Sequence, residues 1–231
     1  MVEGKKTRLS VVIPVLNEER TIGATLENLT SLAPEEIIVV DGGSTDRTRD
    51  KVTRTQAALT LSDRGRALQM NRGADLARGD VLLFLHADTR LPSTALTDIT
   101  LALEDPRYVG GRFDVTLDGK SKLLRWVGVM INLRSRLTRV ATGDHAIFVH
   151  RKVFEEIGGF PNFPLMEDIA FSQRLKKTGK VACLRSQVIT SARRWEREGI
   201  WKTMLKMWAL RLLFLGGVSP LYLKRFYTDA R

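Results

Sequence analysis

"LFLHADTRLP", residues 83–92, decides how the chain is read. The apolar run from Val81 to Leu85 reads as a strand buried in a sheet. It delivers His86, Ala87 and Asp88 to the strand's C-terminal edge, where open α/β sheets place their chemistry. Two readings meet there. Either Asp88 only opens a turn, with Thr89 and Pro92 helping the chain leave the sheet, or His86 and Asp88 belong to a metal or phosphate site.

The pattern repeats upstream. "RLSVVIPV" is a first strand, and "TIGATLENLTSL" sets Ile22, Leu26 and Leu29 at helical spacing. "EEIIVV" is a second strand running into "DGGSTDRT", where Gly42 and Gly43 permit a tight turn and Asp46 caps the next helix. A short strand, "ALTLS", leads to a helix over "RGRALQMNRGADLARG" that ends near Gly79. Strands alternating with helices are the signature of a parallel βαβ sheet.

Downstream the character changes. "GGRFDVTL" alternates as an antiparallel or edge strand does, and "KLLRWVGVMINLRSRLTRV" is an amphipathic helix carrying Arg125, Arg134, Arg136 and Arg139. "HAIFVH" is another buried strand and "KVFEEIGGF" a short helix with a glycine stop. "EDIAFSQRLKKTG" is a helix that opens on two carboxylates. With no internal repeat or low-complexity linker, residues 1–231 read as one unit. It comprises a first half (9–90), a second half (91–195) and a C-terminal amphipathic helical segment (196–231).

Composition bounds the function. The chain has 231 residues, 43% of them hydrophobic, enough for one substantial core. Its single cysteine, Cys183, allows no disulfide framework and no cysteine zinc site, which fits a reducing, cytoplasmic setting. The N-terminus, "MVEGKKTRLSVVIPVLNEE", reads as the first strand, not as a signal peptide. A net charge of +11 favours polyanionic partners: nucleic acid, anionic lipid or phosphorylated small molecules. Nucleic acid falls behind, because the basic residues are dispersed and no zinc-finger spacing or RNA-binding aromatic signature is present.

The strand ends agree with one another. Asn17 and Glu18 follow the first strand, Asp41 ends the second, and His86 to Asp88 end the strand quoted above. In a parallel sheet these groups gather on one edge, as a nucleotide crevice requires. In order along the chain, "VVIPVLNEE", "IIVVDGGSTDRT", "ARGDVLLFLHADT", "EIGGF" and "MEDIAFSQRLKKTGK" resemble the successive motifs of family 2 glycosyltransferases. "RGRALQMNRGA", "FLHADT", "PLMEDI" and "TSARRWE" are similar to a compact bacterial subgroup of that family.

The resemblance implies a GT-A fold, a Rossmann-like mixed α/β sheet flanked by helices. It also implies transfer of a sugar from a nucleoside diphosphate sugar, with inversion. Asp41 matches the acidic residue that reads the base, and Pro14, Asn17 and Glu18 match the loop lining the nucleoside pocket. Arg64 and Arg66 are placed to reach the diphosphate. Asp88 matches the last residue of the Asp-x-Asp metal motif, and His86 replaces the first aspartate. The implied cofactor is therefore a divalent cation, Mn2+ or Mg2+, held with one carboxylate fewer. Asp168 matches the general base, with Glu167 beside it. Arg194 and Trp195 match the end of a Gln-x-x-Arg-Trp motif whose glutamine is here Ser191, and would serve the diphosphate and acceptor.

"IWKTMLKMWALRLLFLGGVSPLYL" is interrupted by Lys202, Lys206 and Arg211, unlike a membrane span. Its stripe of Trp201, Met204, Leu205, Trp208, Leu212 and Leu215 exceeds what one core contact consumes. The expected partners are an anionic membrane surface at the inner face, with a small or lipid-linked acceptor, or a second copy of the chain in a homodimer. Two rival functions stand beside sugar transfer. One is nucleotidyl transfer; the other is a sugar-nucleotide-binding, membrane-associated module that has lost its chemistry, a reading that His86 encourages.

Overall fold

The computed structural model describes residues 7–227. Four parallel strands form first: β1 (Leu9–Val15), β2 (Glu36–Asp41), β3 (Ala58–Leu61) and β4 (Val81–Phe84). The sheet then continues with β5 (Thr89–Arg90), β6 (Tyr108–Asp118), β7 (Ile147–His150) and β8 (Lys180–Ser191). The strand order is β3-β2-β1-β4-β7-β6-β8-β5, so strands from both halves of the chain share one sheet. β7 runs antiparallel to β4 and β6, β8 parallel to β6, and β5 antiparallel to β8.

Why these segments are strands follows from burial on both faces. Along β1, Val11, Ile13 and Val15 enter one hydrophobic core while Val12 enters the other. In β4, Val81 and Leu83 face the first core, and Leu82 and Phe84 the second. Successive side chains alternate faces, so covering both faces yields an uninterrupted apolar run. On the second face Phe84 meets Phe160 edge-on at 4.8 Å, and Phe160 stacks on Phe171 at 4.3 Å.

Helices α1 (Ile22–Leu32), α2 (Thr48–Thr53) and α3 (Arg66–Leu76) serve the first half, and α4 (Ala95–Leu103) packs against β6 and β8. The expected cap of α2 is shifted: Arg47 is the N-cap residue, and Asp46 just before it accepts from the Thr48 N–H at 2.9 Å. In α3, Gln69 donates to the carbonyls of Val15 (2.7 Å) and Val40 (2.8 Å), pinning the helix across the ends of β1 and β2. One turn later a Cβ on Gly73 would lie 2.3 Å from Val12 Cγ1. Gly73→Ala should therefore lower stability. Overpacking costs about 1–3 kcal/mol, against roughly 1 kcal/mol that alanine gains over glycine in a helix interior. A fall in the urea midpoint with unchanged slope is the expected reading.

Of the two readings of β6, antiparallel or edge, the first holds: it pairs antiparallel with β7, lies between β7 and β8, and its polar alternation points inward. Arg112 is 1% exposed and forms a tight ion pair with Asp114, whose other oxygen takes Arg136 at 2.5 Å. Arg136 belongs to α5 (Lys122–Thr138) and also donates to the carbonyls of Cys183 (2.9 Å) and Leu184 (3.1 Å). Those carbonyls lie where the β6/β8 register shifts, so the arginine satisfies acceptors that the irregular ladder leaves open.

The C-terminal helical segment is divided into separate helices. After α6 (Arg151–Glu156), α7 (Glu167–Thr178) and α8 (Arg193–Glu198) come α9 (Ile200–Leu215) and α10 (Pro220–Lys224). Gly217, at φ +89°, turns the chain between the last two, and Pro220 starts α10. Leu210, Leu223 and Tyr227 pack on Met166 and Ile169, so these helices brace the start of α7.

Candidate active site

Residues at the ends of β1 and β4 line a cavity of about 240 Å3, closed on the other sides by α5, α7, α8 and α9. β4 stops at Phe84, short of the expected His86, and the Thr89 N–H donates to the His86 carbonyl at 3.1 Å. Residues 86–89 are thus a turn, yet Asp88 still faces the cavity. Asp88 thus opens the turn and also lines the cavity.

Arg193 organises this edge. Its Nη2 lies 2.9 Å from both carboxylate oxygens of Glu18 and 3.2 Å from Asp88 Oδ2. The two carboxylates are 11% and 15% exposed, and the guanidinium between them offsets their mutual repulsion. The sequence reading passed over Arg193 in favour of Arg194 and Trp195.

Asp168, in the first turn of α7, accepts from the Gly143 N–H at 2.8 Å and the Ile169 N–H at 2.7 Å, one bond to each oxygen. Burial, with the charge of Glu167 beside it, pushes its carboxyl up to about 6 against the opposing pull of Arg66 and those two bonds. Each oxygen keeps a second lone pair. Gly143 opens a single 3-10 turn, Gly143–His145, ahead of β7, where a Cβ would lie 2.3 Å from His86 Nε2. Glycine is what lets His86, this turn and Asp168 meet.

His86 turns its Nδ1 to Asp144 Oδ1 at 3.2 Å. Burial opposes ionisation of Asp144. The His86 bond and the nearby His145 and Arg194 outweigh it and hold the carboxyl well below the usual carboxylate range. Asp144 was missed for a topological reason. β7 is antiparallel, so its leading turn lies at the edge where β4 ends, and a search of strand C-terminal ends does not reach it.

Of the residues singled out in the sequence, Pro14, Glu18, Arg66, His86, Asp88, Glu167, Asp168, Arg194 and Trp195 line this cavity. Asn17, Asp41 and Arg64 are not part of its wall. Asn17 instead clasps the loop after β2, accepting from the Thr45 N–H at 2.8 Å. Asp41 is fully buried, and Oδ1 accepts from Gly43, Ser44 and Arg49. Burial opposes its ionisation, but the bonds from Ser44, Arg49 and Gly43 prevail and lower its pKa. Its Oδ2 has no partner among the described residues. Arg66 pairs with the nearly buried Glu167 at 3.2 Å. Arg194 lies 4.5 Å from the Tyr227 ring centre and donates to its hydroxyl. Trp195 both lines the cavity and packs against the first core.

The description glycosyl transferase family 2 fits residues 10–158. The chain belongs to that family. This family 2 member is 27% identical to a probable glycosyltransferase, YdaM, of Bacillus subtilis, over 96% of its own length and 60% of that protein's. It is 33% identical to a PGL/p-HBAD biosynthesis glycosyltransferase of Mycobacterium bovis, over 65% of its length and 62% of the relative's. The chain thus spans about 60% of the curated relatives it matches.

Among solved structures, a Pyrobaculum calidifontis mannosyltransferase in complex with GDP-Man and Mn2+ superposes with a TM-score of 0.62 at 23% identity. That match covers 80% of this chain and 57% of that one. Glucosyl-3-phosphoglycerate synthase of Mycobacterium tuberculosis, in complex with Mn2+, UDP and glucosyl-3-phosphoglycerate, gives 0.58 at 19% identity. It covers 78% of this chain and 70% of that one. The family 2 chain therefore has the mixed-sheet GT-A fold that its motifs implied.

The residues that would hold a divalent cation in this family 2 site are few. Among the described residues no three histidine, cysteine or acidic side chains enclose a metal position. His86 is engaged with Asp144, and its Nε2 is buried without a partner. Asp88 gives Arg193 one oxygen, and its other accepts no hydrogen bond from the described residues. That donor set fits a hard cation that takes one protein carboxylate and draws the rest of its shell from substrate phosphates and water.

Proposed function

We propose that the chain transfers a sugar from a nucleoside diphosphate sugar to an acceptor hydroxyl with inversion. The observation that supports this reading most is Asp168, a carboxyl pushed up to about 6 that shares one cavity with the Glu18–Arg193–Asp88 bridge. Asp168 takes the proton of the acceptor hydroxyl as that oxygen attacks the anomeric carbon and the bond to the diphosphate breaks. Arg193 and Arg194 offset the charge growing on the leaving diphosphate. A divalent cation, when bound, would be held by Asp88 and would supply further positive charge for that diphosphate. Pro14 and Glu18 lie on the nucleotide side, and Asp41, Asn17 and Arg64 are assigned to its base and loop in line with the motif resemblance.

The test is product analysis. Purified protein is incubated with UDP-, GDP- and dTDP-sugars, Mn2+ or Mg2+, and a panel of hydroxyl acceptors. Release of free nucleoside diphosphate is expected; release of pyrophosphate instead would mean nucleotidyl transfer. Nucleotide binding without turnover on any acceptor would support the degenerate module.

The acceptor side is proposed to lie against an anionic lipid surface. Trp201, Leu205, Trp208, Leu212 and Leu215 are each more than half exposed along the outer face of α9, whose buried residues are Thr203 and Leu210. Trp126, Val129, Leu133 and Leu137 repeat the pattern on α5. Exposed Arg125, Lys202 and Arg225 and the net charge of +11 complement anionic headgroups. No helix among the described residues is long and apolar enough to cross a membrane. Phosphatidylglycerol vesicles should sediment the protein, and Leu205→Glu with Leu212→Glu, two residues outside the cavity wall, should abolish this. A dimer that ignores the vesicles would assign the stripe to a second copy.

A further inference from the structure

The cavity has two unlike sides. Toward the strand ends its charged groups are paired: Arg193 with Glu18 and Asp88, Arg66 with Glu167, and Asp144 with His86. On the side built by α5 and α9 the wall is apolar, with Met130, Ile131, Met204, Met207 and Trp208. Two guanidinium groups interrupt that wall, Arg134 from α5 and Arg211 from α9.

Neither arginine forms a side-chain hydrogen bond or an ion pair among the described residues, and the Nε of each is buried without an acceptor. Burial lowers the pKa of Arg134 to about 10. Asp168 and Asp144 counter this effect, while the neighbouring Arg112 reinforces it. Arg134 thus stays charged at neutral pH, with Asp168 and Asp144 near it but no carboxylate of the described residues in ion-pair contact. A cation placed in an apolar wall without a partner is costly, and an arriving anion relieves that cost. A guanidinium also offers a planar fork of N–H donors that suits phosphate and carboxylate oxygens.

We infer that Arg134 and Arg211 form an anion seat in the acceptor half of the cavity. The acceptor they fit is an amphiphile that carries a phosphate or carboxylate in addition to its reacting hydroxyl, with an apolar portion along Met204, Met207 and Trp208. The inference rests on the sugar-transfer reading, because it takes the strand-end side for the donor. It adds what that reading leaves open, the chemical class of the acceptor.

The test uses the full chain and calorimetric titration with octyl phosphate, inorganic phosphate and octanol, each in the presence of saturating UDP. Octyl phosphate should bind at least about tenfold more tightly than either half of it, a difference of about 1.4 kcal/mol. Arg134→Gln with Arg211→Gln should erase that advantage and leave UDP affinity unchanged. If octanol binds as well as octyl phosphate, there is no anion seat. If inorganic phosphate binds as well, the seat has no apolar partner and a free phosphate is its ligand, which overturns the amphiphile.

Loss of UDP binding in the double variant would transfer both arginines to the donor diphosphate and also overturn the proposal. The comparison of the three probes on the unaltered protein needs no variant to fold, and Arg211→Gln alone repeats the charge test. A protein that binds no nucleotide at all refutes the transferase reading. One that binds UDP but not octyl phosphate refutes only the acceptor class.

Discussion

Asp168→Asn is expected to lower turnover by about 10²–10⁴-fold, the range a positioned general base contributes, while leaving affinity for the nucleoside diphosphate essentially unchanged. Asparagine keeps the shape and can still accept from the Gly143 N–H, so the turn at 143–145 should stay in place. What it loses is the ability to take a proton. The pH profile separates this loss from mere distortion. The carboxyl of Asp168 is pushed up to about 6, and in the proposed reaction its deprotonated form is the active one. In the unaltered enzyme kcat/KM should therefore rise with pH through about 6 and level off above it. The residual rate of the variant should not follow that limb. A variant with the original rate, or with the same acid limb, would remove Asp168 from the chemistry.

Arg193→Met should weaken nucleoside diphosphate binding by at least about tenfold and lower kcat/KM by about 10²–10³-fold, as loss of one preorganised charge donor does. The argument begins with what remains. Glu18 and Asp88 would face each other almost buried and without the cation that now lies within 3.2 Å of both. Like charges at that separation cannot both stay ionised at no cost, so one carboxyl should titrate upward. Nucleotide binding in the variant should then gain a pH dependence between acid and neutral that the original lacks. Arg193→Lys should restore only part of the affinity, because a single ammonium does not reproduce the guanidinium fork. Unchanged affinity and pH response in Arg193→Met would reduce the bridge to a structural contact.

The sheet was legible because Val11 to Val15 and Val81 to Leu85 are buried on both faces, and double burial leaves a plain apolar run. The helix start at Glu167 was legible for the opposite reason, since two acids precede a periodic pattern. β6 was left open between antiparallel and edge because alternation does not say which face is wet. Arg112 and Asp114 satisfy one another and Arg136 inside the sheet. The cavity was half legible. Glu18, Asp88 and Asp168 lie next to recognisable strand or helix ends, whereas Arg193, Asp144 and Arg134 reach it only through the antiparallel return of β7 and the placement of α5 and α8. No spacing in the sequence encodes that return.

The order of pairing in the sheet has a consequence for how the chain can be assembled. β1 to β4 find all their mutual partners within residues 9–84 and can close while the remainder is still being made. β6 must wait for β8, with Arg112 opposite Cys183 roughly 70 residues later, and such distant pairings form slowly. Until Lys180 and its successors arrive, β6 offers one open edge carrying an ion pair built for burial. An open edge invites pairing with another chain. A fragment cut before β8 is therefore expected to aggregate, although it holds every residue of the nucleotide-binding half.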